Sequence, residues 1–462
     1  MRVLLVVYDN ESYIHSFPMG LGYIAAVLIR EGVDVEIYNQ DVHHYPDEHL
    51  REYLDKNRFD VVGVSITGGY YQYRKILRIS EAINKSRNRP FYVIGGHGPS
   101  PEPEYFLNKT QADAIVIGEG EITILDLVRA LSKHQPLSTV QGIAFRDAQK
   151  VFVNERRTLI ADIDTIPWPA YSLFPMEYYR LLRMPHTSKT DFVLWILSGR
   201  GCPFHCNFCY RMDDGFRPRR NEAIMEEITY LKKKFGITYV FFADELLMSS
   251  VARTESLCRD FIKANLNIKW FCNGRLNYAK RDLLRLMRQA GCVFINYGIE
   301  AMDDQILKNM NKALTTKQII AGIEATLEAG ISPGYNIIFG NIGETKETLG
   351  KGVEFLLKYD DGTQFRTIRP VTPYPGSPLY YYAINNGLLK DCEDFYENKH
   401  NNSDLLAVNF TNMSDEEFHR CLFEANTKLI NNYYRKQIDA TVENARKLYI
   451  ERDSDFRGFR QT

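Results

Sequence analysis

The strongest constraint on this chain is a pair of alternating series, in which short continuous apolar runs are separated by amphipathic helical stretches. In the first series, strand-like runs lie at Val3 to Tyr8, Val33 to Tyr38, Val61 to Thr67, Tyr92 to Gly96 and Ala114 to Gly118, with helical patterns at Leu21 to Arg30, Tyr73 to Asn84 and Ile122 to Leu131. Continuous Val/Ile runs are the signature of strands buried on both faces. They predict an α/β unit with an open parallel sheet, helices on both sides and a ligand crevice at the carboxyl ends of the strands. Three small-residue loops share that rim: Ser65-Ile66-Thr67-Gly68-Gly69, Gly95-Gly96-His97-Gly98-Pro99 and Gly118-Glu119-Gly120-Glu121.

The second series starts at Phe192 to Gly199 and runs through Tyr239 to Ala243, Trp270 to Asn273, Phe294 to Glu300, Tyr335 to Gly340 and Gln364 to Val371, again with helical stretches between. Six strands suggest an open barrel, since a closed eight-unit barrel needs two more βα units. At 462 residues the chain is long enough for more than one core. The expected organisation is a first domain at 1–135, a linker at 136–190 with a hairpin near Gly142 to Asn154, a barrel at 191–380, and a helical region at 381–462 with a long helix from Ser414 to Arg452.

Chemistry concentrates where the barrel's first strand ends, in Ser198-Gly199-Arg200-Gly201-Cys202-Pro203-Phe204-His205-Cys206-Asn207-Phe208-Cys209-Tyr210. The spacing is C-x3-C-x2-C. Three thiolates on one loop are one fewer than a closed structural zinc site or a fully cysteine-ligated cluster requires. A 4Fe-4S cluster held by three cysteines leaves one iron open to another ligand. The competing reading is a zinc site completed by His205 or a remote residue, although adjacent Cys206 and His205 are awkwardly placed to reach one tetrahedral ion. The remaining cysteines, Cys258, Cys272, Cys292, Cys392 and Cys421, are scattered and read as small buried hydrophobes.

This cysteine motif, opening a six-strand βα series, resembles that of the radical S-adenosylmethionine enzymes. Phe241-Phe242-Ala243-Asp244-Glu245 resembles their acidic strand-end motif, and Gly298-Ile299-Glu300 the "GIE" strand of the subgroup with an N-terminal cobalamin-binding domain. Gly340-Asn341-Ile342-Gly343-Glu344-Thr345 resembles that subgroup's "GxPGET" turn, with Ile342 in place of Pro, and Thr372-Pro373-Tyr374-Pro375-Gly376-Ser377-Pro378 its "TPYPGTP" segment. The resemblance implies a flavodoxin/Rossmann-like cobalamin-binding domain, a partial (β/α)6 radical SAM barrel and a helical C-terminal region. It further implies three cofactors: a 4Fe-4S cluster on Cys202, Cys206 and Cys209, S-adenosylmethionine, and cobalamin.

For S-adenosylmethionine, the resemblance sets Phe208 against the adenine and Glu300 at the ribose hydroxyls, where a structural ion pair is the competing role. Asp244 and Glu245 can accept from the methionine ammonium, and Asn273 and Arg275 are further rim contacts. For cobalamin, Ser65, Thr67, Gly95 and Gly96 suit the nucleotide tail, since small residues admit a bulky ligand between strand ends; His97, Gly118 and Glu119 complete that rim. The D-x-H-x-x-G signature of an axial histidine is absent, leaving His43 and His15 as weak candidates. Tyr380-Tyr381-Tyr382 either shapes a substrate pocket or docks the tail on the barrel.

The implied activity is methylation of an unactivated carbon by way of a 5′-deoxyadenosyl radical and methylcobalamin. Cobalamin-dependent cyclisation, oxidation or ring contraction without methyl transfer is the alternative, and a noncatalytic cobalamin-binding regulator is a further one. A methylthiotransferase of transfer RNA would carry cluster cysteines upstream, and no cysteine precedes Cys202. The formal net charge of −1 gives no overall positive field for nucleic acid or an anionic membrane. No apolar run approaches the ~20 residues of a transmembrane helix. The expected setting is therefore cytoplasmic, with a small-molecule or peptide substrate and a low-potential electron donor.

Overall fold

The computed structural model describes the whole chain except residues 13–14, 149, 213, 454–458 and 460–462. The first sheet contains β1 (Arg2–Val7), β2 (Asp34–Asn39), β3 (Val61–Ser65), β4 (Phe91–Gly95), β5 (Ala114–Val116), β6 (Ile143–Asp147) and β7 (Lys150–Val153), in the order β2-β1-β3-β4-β5-β6-β7. Strands β1 to β5 are parallel, as their apolar runs require. The hairpin read as part of the linker instead extends this sheet, pairing antiparallel with β5. Chain order reverses between β1 and β3, which opens a crevice at their carboxyl ends.

The second sheet begins with β8 (Val193–Ile196). A two-strand ribbon follows, β9 (Gly199–Arg200) with β10 (Arg217–Pro218), and then β11 (Tyr239–Phe242), β12 (Lys269–Gly274), β13 (Cys292–Glu300), β14 (Ser332–Phe339) and β15 (Arg369–Pro370). Apart from the ribbon, these form a six-stranded parallel sheet ordered β8-β11-β12-β13-β14-β15, each strand beside the next in sequence. Rightward βα crossovers of one hand give that order and curl the sheet into a half barrel.

The two faces of the first sheet are covered differently. One shares a continuous apolar core with the barrel, through Leu5, Val7, Tyr171, Phe174 and Tyr179. Phe17 sits at this junction, with ring centroids 5.1 Å from Tyr171, 4.9 Å from Phe174 and 5.5 Å from Tyr179. The other face is covered by the helices at 47–56, 70–84 and 103–110, and the segment after the barrel joins that core by stacking Tyr396 on Tyr73 and packing it edge-on to Phe106. Tyr380 thus docks the tail on the first domain rather than on the barrel, while Tyr381 and Tyr382 are exposed. The long helix, Asp415–Arg446, is capped by Ser414, whose hydroxyl accepts from the Glu417 N–H. It packs on the barrel through Phe418, whose ring lies 4.8 Å from Phe339.

Candidate functional site

The β9–β10 ribbon closes the neck of the loop carrying the cysteines. Gly201, at φ +87°, passes so close to the opposite strand that a Cβ would stand 2.4 Å from the Gly215 carbonyl oxygen, so only glycine fits there. Within the loop, Asn207 is the anchor. Its backbone N–H donates to the Met310 carbonyl (2.9 Å), its carbonyl accepts from the Leu379 N–H (2.8 Å), and its amide exchanges bonds with buried Asn341 at 3.1 and 2.9 Å. Glu344 fixes the Asn341 turn by accepting from the Gly340 and Asn341 N–H groups.

Cys202, Cys206 and Cys209 all face one cavity of about 270 Å³, together with Phe208, Glu245, Asn273, Arg275 and Glu300. His205 does not line it; its Nδ1 accepts from Arg211 at 2.7 Å, which removes the residue proposed to complete a zinc site. Burial raises the Cys202 thiol above its ordinary range, so this thiol must lose its proton to a metal centre as it binds, and Cys209 is the exposed member of the three. Three thiols around a space larger than one ion fit a multi-iron cluster.

Arg275 is only 5% exposed, its guanidinium stacks over Phe204 at 3.5 Å, and its Nε and Nη2 have no hydrogen-bond partner. An orphaned buried cation at this wall fits an anionic ligand group. Glu300 sits at a bulge where the β13–β14 register shifts, at φ +70°, and pairs with Lys312 at 2.8 Å. Such an unusual backbone for a glutamate turns its carboxylate toward the cavity. Lys312 also lies 5.7 Å from the Phe208 ring.

Asp244 and Glu245 do different work. Asp244 is fully buried and accepts from the Ser198 N–H at 2.6 Å and from the Ser198 hydroxyl, while Arg253 donates to the Ser198 carbonyl at 2.6 Å. Each carboxylate oxygen accepts one of these bonds, so Asp244 positions the strand end before the cysteine loop, and it also lines the larger cavity between the first domain and the barrel. Glu245 accepts from the Gly201 N–H at 2.8 Å and lines the cluster cavity. A run of amides extends the arrangement: Asn273 donates to the Asp244 carbonyl (2.8 Å), Asn296 to Asn273 (3.2 Å) and Asn336 to Asn296 (2.9 Å). Asn296, Asn336, Asn207, Asn341 and Lys312 were not singled out in the sequence. For Asn296 and Asn336 the signal was asparagine inside strands, where it is depleted; Asn207, Asn341 and Lys312 lie in loops and carried none.

A larger cavity of about 620 Å³ lies between the first domain and the barrel, and Ser65, Thr67, Gly95, Gly96, His97, Gly118 and Glu119 all line it. It reaches down between the strand ends to Leu5, Gly63 and Val93, the shape needed for a large ligand with an inserted tail. Gly96 is glycine for the loop itself, because at φ +103° its Cβ would meet the Ile66 carbonyl oxygen at 2.3 Å. Glu119 is a clamp: it pairs with Arg200 at 2.8 Å and Arg217 at 3.0 Å, and accepts from the Ile160 N–H at 2.9 Å. Against the burial that would raise it, these bonds hold its carboxyl below the usual range. Neither His43, stacked on Tyr45, nor His15, beside a separate cavity of about 150 Å³, lines the large cavity.

Comparison with known proteins agrees with this geometry. Residues 6–128 match the B12 binding domain family and residues 196–356 the radical SAM superfamily. An uncharacterized methyltransferase of Pyrococcus horikoshii is 31% identical, over 84% of this chain and 84% of its own. An anaerobic magnesium-protoporphyrin IX monomethyl ester cyclase of Rubrivivax gelatinosus is 28% identical over 79% of this chain and 65% of its own. The fold matches that of the radical S-adenosylmethionine methyltransferase TsrM of Kitasatospora setae, solved with cobalamin and a [4Fe-4S] cluster, with a TM-score of 0.73 and 18% identity over 93% of this chain and 88% of that one. The chain belongs to the radical SAM superfamily, among the enzymes that join its barrel to an N-terminal B12-binding domain.

Proposed function

We propose that the protein is a cobalamin-dependent radical S-adenosylmethionine methyltransferase that methylates an unactivated carbon of a small molecule or peptide. The observation that carries this reading is a shared wall: His97, Met212, Glu245 and Asn273 line both the cysteine cavity and the cavity under the B12-binding domain. Ligands in the two cavities therefore meet across a few side chains.

When bound, the cluster supplies the electron that cleaves S-adenosylmethionine and cobalamin supplies the methyl group for transfer. Cys202, Cys206 and Cys209 would hold the cluster, and Phe208 lines the same cavity. Arg275 pairs with the carboxylate of the methionine moiety, Glu245 accepts from its ammonium, and Glu300, held by Lys312, keeps acceptor capacity for ribose hydroxyls. The small residues at Ser65, Thr67, Gly95, Gly96 and Gly118 bound the space for cobalamin. Asp244, Ser198 and the asparagine run set these groups before any ligand arrives, which limits the reorganisation needed on binding. The cluster would draw its electron from a low-potential donor, and a reducing cytoplasm would suit its thiolate ligands. Among the described residues no helix is long and apolar enough to cross a membrane.

The cyclase relative motivates the second reading, radical chemistry without methyl transfer. Protein reconstituted anaerobically with iron, sulfide and reduced cobalamin separates the two without knowledge of the substrate. Given S-adenosylmethionine, it is expected to release about one S-adenosylhomocysteine per bound cobalamin. Deoxyadenosine without S-adenosylhomocysteine would overturn methyl transfer and leave the cyclase reading.

A further inference from the structure

A third cavity, of about 530 Å³, meets the other two at His97, which lines all three. One wall is the cluster loop at Phe208, Cys209 and Tyr210; the opposite wall is the tail that docks on the first domain, at Tyr374 and Tyr396. Among the described residues, no Asp, Glu, Lys or Arg lines this cavity. That contrasts with the cysteine cavity, which presents Glu245, Arg275, Glu300 and Lys312.

We propose that this third cavity receives the substrate, and that the part of the substrate inserted there is uncharged and aromatic. The proposal rests on the methyl-transfer reading for its assignment of the other two cavities. Four rings, Phe208, Tyr210, Tyr374 and Tyr396, offer faces and edges to a flat group, and offset-stacked or edge-on aromatic pairs add attraction beyond their buried area. Gln72, Thr67 and the partly exposed Ser403 supply hydrogen bonds that orient it. An ammonium or carboxylate placed here would lose water and find no counter-ion. Tyr396 is fixed from behind: it is buried, stacks on Tyr73 at 4.4 Å and donates to the Gly68 carbonyl. Buried His400 braces Tyr374 edge-on at 5.3 Å, and burial lowers it to about 4, so it adds no charge behind that wall near neutral pH. The cavity's position decides its role, because a group held against Phe208 and His97 faces both cofactor cavities at once.

The test uses anaerobically reconstituted protein in equilibrium dialysis against three probes: indole, indole-3-acetate and tryptamine. Indole is expected to bind at least about tenfold more tightly than either charged analogue. Gly68 has room for a side chain, its Cβ direction meeting the Tyr396 hydroxyl at 3.4 Å and Tyr374 at 3.5 Å. Gly68→Phe and, from the other wall, Ser403→Phe should each weaken indole by about tenfold or more while iron and cobalamin contents stay at wild-type levels. Equal binding of the three probes, or wild-type indole affinity in either variant with its cofactors in place, overturns the assignment. The comparison among probes on the wild-type protein stands whether or not the variants fold. S-adenosylhomocysteine formation without indole binding refutes the third cavity alone; indole binding without S-adenosylhomocysteine refutes methyl transfer alone.

Discussion

The two strand-end rims that face each other are built on opposite plans. The barrel rim is polar and heavily wired: Asp244 holds Ser198, the asparagines bridge adjacent strands, Asn207 locks to Asn341, and Arg275, with Nε and Nη2 unpaired, lines the cysteine cavity. The rim of the first domain is glycine, serine and threonine around a large cavity, with its charge held in ion pairs of Glu119 and Glu121 with Arg200 and Arg217. The barrel rim recognises by placed charge and the other by vacated volume. Substitutions should therefore act by removing chemistry on one side and by adding bulk on the other.

The largest effect falls on the cysteines. Replacement of Cys202, Cys206 or Cys209 by Ala should take iron from about four per chain to near zero after reconstitution and abolish deoxyadenosine formation, whereas Cys258→Ala, buried far from the loop, should keep both. Iron retained near four in the triple variant would refute the ligand set. Next is Arg275→Met. A hydrogen bond to a charged group is worth about 1.5–3 kcal/mol, so S-adenosylmethionine should bind roughly 10- to 100-fold more weakly, read by dialysis. The same change removes a buried unpaired charge and should raise the melting temperature of cofactor-free protein. Unchanged affinity would place Arg275 outside the ligand contact.

On the other rim the discriminating change adds volume. Gly96→Phe would not serve, because any Cβ there meets the Ile66 backbone and would spoil the loop whether or not a ligand binds. Gly20 lines the large cavity and has no atom within 4 Å of its Cβ direction. Gly20→Phe should weaken hydroxocobalamin binding by about tenfold or more in equilibrium dialysis, with iron content unchanged. Wild-type cobalamin affinity in that variant would break the contrast between the two rims.

What could be read from the sequence follows the same division. Both parallel sheets were legible because a doubly buried strand writes a continuous apolar run, and the cysteine loop because its spacing is rare. The hairpin at 143–153 was read as linker because its outer strand, Lys150–Val153, is largely exposed and carries no inner-strand pattern. The hold of Asp244 on Ser198 was not legible, because a carboxylate at a strand end looks the same in sequence whatever its partner; only the fold brings Ser198 to it. The clamp at Glu119, which lines the cavity as the sequence implies, could not be read for the same reason, since Arg200 and Arg217 are remote in sequence. The third cavity was invisible, because its walls come from loops of both domains and a tail whose docking face could not be foretold from three adjacent tyrosines.

The subtlest contrast concerns how each rim stores its carboxylate, and the two should respond to pH with opposite signs. Burial pushes Asp244 up to about 6, against the hydrogen bonds from Ser198 that would lower it. In the unfolded chain such a group titrates near ~3.9. Between those values the native state holds a proton that the unfolded state has released, so stability falls as pH rises from about 4 to about 6 and is flat above, by at most about 3 kcal/mol. Asp244→Asn removes this slope: relative to wild type, the variant should gain stability on going from pH 4 to 7, as measured by denaturant unfolding of the cofactor-free protein. Glu119, held below its ordinary range by Arg217, the Ile160 N–H and Arg200, contributes stability that is present above its unfolded value and is lost as pH falls. Glu119→Gln should therefore cost stability at pH 7 and converge on wild type in acid. Parallel pH curves for wild type and Asp244→Asn, or a Glu119→Gln curve that converges at neutral pH instead, would show that the rims do not differ in the way their hydrogen bonds imply.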